Sequence, residues 1–296
     1  MLLKCKREAI KLKNFGEVFK SFRESKNMSL REVAGDDSSA SQISRFERGK
    51  TALNIETFYH CLHAMNISMY EFENKYNEYN HIDSIIYDTK ISDAYLEGNI
   101  SKLTAILNNV LESNEKTAKL NSIAIKIRIY MCDNSKKVHK KDIEYLSDYL
   151  FSIDDWSRYE IWLFSNSIFV LPSKTLEVLG KEVANSLHFH KISEDYKRKV
   201  HIILLKIINC FLERNDLDLS LKFINYIENI NVPESEMYIR IFYKYSKLVY
   251  LYRIGEISSL SELTKIIDFL EFIDCFGTIR TIKSHLDKLQ ICNEIL

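Results

Sequence analysis

Two prolines and seven glycines in a chain of 296 residues leave few points at which a helix is forced to stop, so the composition favours helix over sheet. No uninterrupted apolar run reaches the roughly 18 residues that a membrane span needs. The first stretch, MLLKCKREAIKLK, is too basic and too poor in apolar residues for an export signal, which points to the cytoplasm. The six cysteines (Cys5, Cys61, Cys132, Cys210, Cys275, Cys292) show no CxxC spacing. That argues against a zinc site, and so long a chain without a signal does not read as a secreted disulfide framework. There is no glycine-rich phosphate loop, no HExxH and no nucleophile elbow. His188, His190 and His201 fall on different faces at their spacing and do not form a metal set. Neither an enzyme nor a cofactor nor a metal is expected.

What is present is a globular composition, 46% hydrophobic and 28% charged, long enough for one small domain and one larger one. The net charge is zero, but it is unevenly spread. Residues 1–50 hold 12 Lys or Arg against 7 Asp or Glu, so the remainder carries the balancing acidic excess. A basic segment of this kind is the one to face phosphates, and the larger part should not adhere to them.

Within that segment, SLREVAGDDSSASQISRFERG (29–49) reads as two short helices across a tight turn. Ser29 with Glu32, and Ser39 with Gln42, have capping-box spacing. Leu30, Val33 and Ala34 face inward, Gly35 supplies the turn, and Ile43 and Phe46 give the second helix a buried stripe. Ala40, Ser41, Ser44, Arg45 and Arg48 are left facing outward. Small residues at the start of a helix allow close approach to a major groove, and arginines further along reach guanine edges or phosphates. With Ser29, Arg31, Gln42 and Lys50 they form the candidate contact set for double-stranded DNA.

The rest of this domain follows in order. Residues 1–13 are a basic extension, read as a solvated arm or as a contact to phosphates or the minor groove. A first helix starts at Asn14, capped with Glu17, and turns Phe15, Val18, Phe19 and Phe22 inward. Gly49 ends the third helix. Asn54 caps a fourth with Ile55, Phe58, Leu62 and Met65 on its apolar face, and Ser68 with Glu71 opens a fifth carrying Met69, Phe72 and Tyr76. The DNA-binding domain is placed at 14–78 and a helical domain at 79–296.

Beyond residue 80 the pattern is helix after helix, near 81–97, 101–113, 117–131, 139–150, 154–170, 173–189, 193–213, 216–229, 233–254, 258–273 and 278–294. Pro172 and Pro233 suit first-turn positions, and Asn215-Asp216 reads as an inter-helix turn. The pairs 193–213 with 216–229, and 233–254 with 258–273, recur at about 40 residues, close to a tetratricopeptide-like period. The fold expected is all-α: a five-helix helix-turn-helix domain followed by an α-solenoid whose concave face is a site for an extended peptide or a partner helix.

RESKNMSLREVAG and SSASQISRFERGK are similar to the phage-repressor, or Xre, type of helix-turn-helix. SRFERG, NISMYEF and WSRYEIWLFSN resemble the Rgg/GadR/MutR regulators of transcription from Gram-positive bacteria. The resemblance implies an internal ion pair between Arg23 and Glu47, base-facing positions at Ala40, Ser41, Ser44 and Arg45, and a phosphate-facing one at Arg48. Many Xre proteins carry Gln as the second residue of helix 2 where this chain has Leu30, so that phosphate contact passes to Ser29 or Arg31 or is lost. The resemblance also implies a homodimer and, in several members, a short, mostly apolar signalling peptide bound by the C-terminal domain. Arg158, Glu160 and Asn166 in WSRYEIWLFSN, with Asn209, Arg240 and Tyr243, are the polar groups on packing helices that could hold such a peptide. Equally, they could close turns, helix contacts or a dimer interface, and Trp156, Trp162 and Phe164 read as core. Two other readings stay open: a solenoid that binds proteins, and a DNA-binding regulator controlled by a small molecule, a redox change or nothing.

Overall fold

In the computed structural model, residues 14–80, 86–113, 116–187, 193–230 and 232–291 are described, and among them there are sixteen α-helices and no strand. The basic extension 1–13, the start of the helix expected at 81, and His188 and His190 lie outside the described residues. The chain divides into two compact units, Met1–Ser92 and Asp93–Leu296.

The first unit contains α1 (Phe15–Ser25), α2 (Leu30–Ala34), α3 (Ala40–Glu47), α4 (Ile55–Ala64) and α5 (Met69–Asn80). Each helix starts where a side chain can accept from the first free amides. Asn14 and Glu17, Ser29 and Glu32, and Ser68 and Glu71 make reciprocal capping boxes. The box at α3 is only half made. Ser39 Oγ accepts from Gln42 N, but the Gln42 side chain is turned to Ser38, whose hydroxyl donates to Gln42 Oε1 at 3.2 Å. Asn27 and Asn66 take the left-handed backbone that ends α1 and α4, a conformation Asn tolerates better than most residues.

Val18, Phe19, Val33, Ile43, Phe46, Phe58, Leu62, Met65 and Phe72 form the core. Its aromatic rings meet edge to face, Phe19 on Phe46 at 5.4 Å and Phe58 on Phe72 at 4.9 Å. Three expected core positions are exposed instead: Phe15, Ile55 and Met69 are the first residues of α1, α4 and α5, and apolar burial begins about one turn later at Val18, Phe58 and Phe72. Gly16 marks the tightest approach, since a Cβ there would sit 2.0 Å from the Phe46 carbonyl oxygen.

After α6 (Ile86–Leu96), the second unit runs through α7 (Ile100–Leu111), α8 (Ala118–Cys132), α9 (Lys140–Phe151), α10 (Arg158–Ser167), α11 (Ser173–Ser186), α12 (Glu194–Glu213), α13 (Leu217–Glu228), α14 (Met237–Arg253), α15 (Ser261–Phe272) and α16 (Phe276–Lys288). Helices α8, α10, α12 and α14 pack in succession as one row, and α7, α11, α13 and α15 lie against them. One continuous core extends from Leu120 to Ile291.

The repeat is visible in the polar contacts between successive layers. Arg128 Nε donates to Asn166 Oδ1, Lys206 Nζ to Ser165 Oγ, Ser246 Oγ to Asn209 Oδ1, and Arg253 Nη2 to Asn215 Oδ1, across separations of 38, 41, 37 and 38 residues. Equivalent positions thus meet about one repeat apart, as in a stack of helix pairs.

Several boundaries differ from expectation by two to six residues, and the starts of two helices have a clear cause. Helix α10 starts at Arg158 and not at 154, because the Ser157–Glu160 capping box sets its first turn. Pro233 stands in a turn before α14, with its carbonyl accepting from Glu236 N, and is not in the helix's first turn.

Candidate nucleic-acid interface and ligand face

Helix α3 is anchored from beneath by Ile43 and Phe46, both buried. That fixes what its other side presents. Ser41, Arg45, Arg48 and Lys50 are exposed, and Ala40, Gln42 and Ser44 are half-buried. Among the described residues the Arg45 side chain makes no hydrogen bond or ion pair, so its five donors are available. Arg48 Nε donates to Ser44 O at 3.0 Å, which lays the side chain along its own helix while the guanidinium end stays exposed.

At the start of α2, Ser29 is committed to its cap: Ser29 Oγ accepts from Glu32 N, and Ser29 N donates to Glu32 Oε2. These hydrogen bonds hold the Glu32 carboxyl below its ordinary range. Arg31 beside it is exposed. A phosphate arriving at this end would meet an ionised Glu32, which makes Arg31 the better placed of the two to stand in for the missing Gln.

Beneath the interface, Arg23 Nε donates to Glu47 Oε1 at 2.6 Å and Nη2 to Glu47 Oε2 at 2.9 Å, while Nη1 donates to Met28 O. The side chains are only 12% and 5% exposed. The Glu47 hydrogen bond raises the Arg23 pKa against the opposing effect of burial. This fork-to-fork pair ties α1 to the end of α3.

In the second unit the six polar candidates do not share one environment. Asn166 is 5% exposed, and its amide is used on both sides: Oδ1 accepts from Arg128 and Nδ2 donates to Trp162 O. Glu160 is buried, accepting from Ser157 and from Tyr149 Oη at 2.7 Å. Burial works against its charge, yet these hydrogen bonds hold the carboxyl below its ordinary range. Tyr243 Oη donates to Glu228, and burial with that carboxylate pushes the phenol pKa up. Arg240 is exposed and donates to Val232 O.

Arg158 is exposed at the first turn of α10, with no hydrogen bond or ion pair to the described residues. Asn209 is half-buried. Its Oδ1 accepts from Ser246 and its carbonyl from His285 Nε2, while its Nδ2 donors have no partner among the described residues. Asn166, Glu160 and Tyr243 are therefore engaged inside the fold, and Arg158, Arg240 and Asn209 retain open donors.

The model of the C-terminal domain of the HTH-type transcriptional regulator Rgg matches residues 104–283. The chain belongs to the Rgg family. A helix-turn-helix model matches residues 19–72, which covers α2, α3, α4 and most of α1. The Rgg chain is similar in fold to the crystal structure of the Streptococcus dysgalactiae SHP pheromone receptor Rgg2: 23% identity, 93% of this chain and 99% of that one covered, TM-score 0.79. It is also similar to a putative transcriptional regulator from Listeria monocytogenes EGD-e at 16% identity, with 94% and 98% covered and TM-score 0.78. The crystal structure of the PrgX/cCF10 complex matches at 16% identity, with 95% and 94% covered and TM-score 0.67.

As a helix-turn-helix regulator of the Rgg family, the protein binds DNA and is not an enzyme. Among the described residues no helix is long and apolar enough to cross a membrane, and no three His, Cys, Asp or Glu side chains group to hold a metal ion. Some partners of the candidate residues and their neighbours are not expected from the sequence. Ser38 orients Gln42, Asp37 pairs with His60 on α4 at 2.8 Å, and Arg128 takes up Asn166 from 38 residues away.

Proposed function

We propose that this Rgg chain is a cytoplasmic regulator that binds promoter operators as a homodimer, residues 14–78 reading DNA and residues 79–296 serving regulation and dimerisation. The observation that carries the DNA assignment is α3: a helix pinned on one side by Ile43, Phe46 and Glu47, presenting Ser41 and a free Arg45 on the other. Ala40, Ser41, Ser44 and Arg45 are assigned to bases. Ser29, Arg31, Gln42, Arg48 and Lys50 are assigned to the backbone, and Arg23 with Glu47 to the scaffold. Fluorescence anisotropy with duplexes from the gene's own upstream region tests this. Equal affinity for upstream and scrambled duplexes would remove operator recognition.

The effector we propose is a short, mostly apolar peptide. Two neighbours in fold support it: one is the SHP pheromone receptor Rgg2 and another is a complex of PrgX with cCF10. In this chain Arg158, Arg240 and Asn209 offer open donors to a peptide backbone or carboxylate. Asn166, Glu160 and Tyr243 can join only by exchanging an internal hydrogen bond for one to the ligand. The apolar side chains then supply the affinity and the polar groups the alignment. Calorimetry with synthetic versions of short peptides encoded beside the gene is the test, on wild type, Asn209→Ala and Asn166→Ala. No binding by wild type would turn the assignment to a small molecule or to a regulator without a ligand.

A further inference from the structure

The last helical pair carries an exposed cluster that the fold does not use. Phe269, Phe272, Ile273 and Phe276 surround the turn between α15 and α16 and are 38%, 84%, 40% and 49% exposed. Phe272 ends one helix and Phe276 starts the next, so both rings stand at the tip of the pair. Single exposed apolar residues are ordinary, but four large ones in eight positions form a patch.

The charges around it are equally unused. Asp268, Glu271 and Asp274 are exposed on and just after α15, while Arg280 is exposed and Lys283 half-buried on α16. Among the described residues none of these five makes a hydrogen bond or an ion pair through its side chain. Elsewhere in the unit several surface charges are paired, as in Arg198 with Glu236, Lys222 with Glu177 and Lys288 with Glu213. Here the acidic groups gather on one helix and the basic groups on the other, with the apolar tip between them.

That pattern is self-complementary under a two-fold axis. Placing a second tip against the first brings the acidic α15 of one copy to the basic α16 of the other, twice, with the aromatic rings stacked at the axis. Four such side chains supply a few hundred Å² of apolar centre, and the charged stems extend it toward the roughly 800 Å² per partner of a stable interface. We infer that the α15–α16 tip is where two copies of this chain meet. The inference rests on the homodimer reading above and adds the face and its pairing: Phe272 and Phe276 at the centre, Glu271 with the partner's Arg280 at the rim.

Sedimentation equilibrium of the full chain tests it, with thermal melts confirming that each variant is folded. Phe272 is mostly in solvent, so Phe272→Asp should melt as wild type does while weakening the dimer by about a hundredfold. Glu271→Arg and Arg280→Glu should each weaken it by about tenfold, and their combination in one chain should restore it, since a two-fold interface recreates both pairs. A dimer unaffected by Phe272→Asp would overturn the assigned face while leaving the homodimer intact. Failure of the charge exchange to restore association would overturn the two-fold pairing. A wild-type chain that is monomeric at concentrations on the order of 10 μM would sink the homodimer reading and the face with it.

Discussion

Replacing Glu47 with alanine removes the carboxylate from a pair that is almost closed to water. Arg23 would keep its hydrogen bond to Met28 O and a looser approach to Glu24 at 3.6 Å, but both Glu47 contacts would be gone. Removing one member of a buried pair costs about 3–5 kcal/mol, because the other charge is left desolvated and unpaired. The two surviving contacts put the loss at the lower end, about 3 kcal/mol. That is a large fraction of the roughly 5–15 kcal/mol available to a whole domain. For a unit of this size each kcal/mol moves the midpoint by about 4–8 °C, so the first unit should melt about 12–24 °C earlier. Calorimetry on the full chain, which resolves the two units if they unfold separately, measures it directly. An apolar replacement of both partners, Arg23→Met with Glu47→Leu, should recover much of the loss, since burying two charges was itself costly. A Glu47→Ala protein that melts within about 2 °C of wild type and yet no longer binds DNA would refute this account. That outcome would make Glu47 a reader and not a brace.

Arg45→Ala should cost about 1–3 kcal/mol against the preferred operator and relax sequence preference, because the guanidinium is uncommitted within the protein and free to bind a guanine edge. Arg48→Ala should instead weaken all duplexes alike and reduce the salt slope by about one charge; titrations at several salt concentrations separate the two. The second unit should lose stability in acid through His285. Its side chain is buried, Nε2 faces Asn209 O and Glu213, Nδ1 faces Tyr245 Oη, and Lys288 lies nearby. Burial lowers its pKa to about 4 from an ordinary 6.5, so the unfolded chain takes the proton first. The contribution is full above pH 6.5 and is lost as pH falls toward 4, on the order of 3 kcal/mol in all. Urea titrations across that window should show the slope, and His285→Gln should flatten it.

The helices of both units were legible because their signals are local. Asn14 with Glu17, Ser29 with Glu32 and Ser68 with Glu71 announce helix starts within four residues of chain, and Asn215 marks a turn in the same way. Where a local rule allowed two outcomes, the packing chose. Gln42 could have reached back to Ser39 but meets Ser38, and Pro233 fits a first turn yet stands in the loop before it. Ile55 has the right spacing for the core but lies one turn before burial begins. The candidate ligand face was the least legible. Asn166 looks like an open amide in the sequence, and only the distant Arg128 reveals that it is already engaged. Spacing along one helix carries no record of what the next layer supplies.

The contact at Gly16 has a consequence for how regulators of this build diversify. With no space for even a methyl group between α1 and the Phe46 carbonyl, the recognition helix cannot be tilted or slid without dislodging its support. Under the base contacts proposed for positions 40, 41, 44 and 45, drift in target preference proceeds by exchanging those side chains on a stationary frame. Lineages that share the glycine can differ in the letters they read while keeping the same angle of reading.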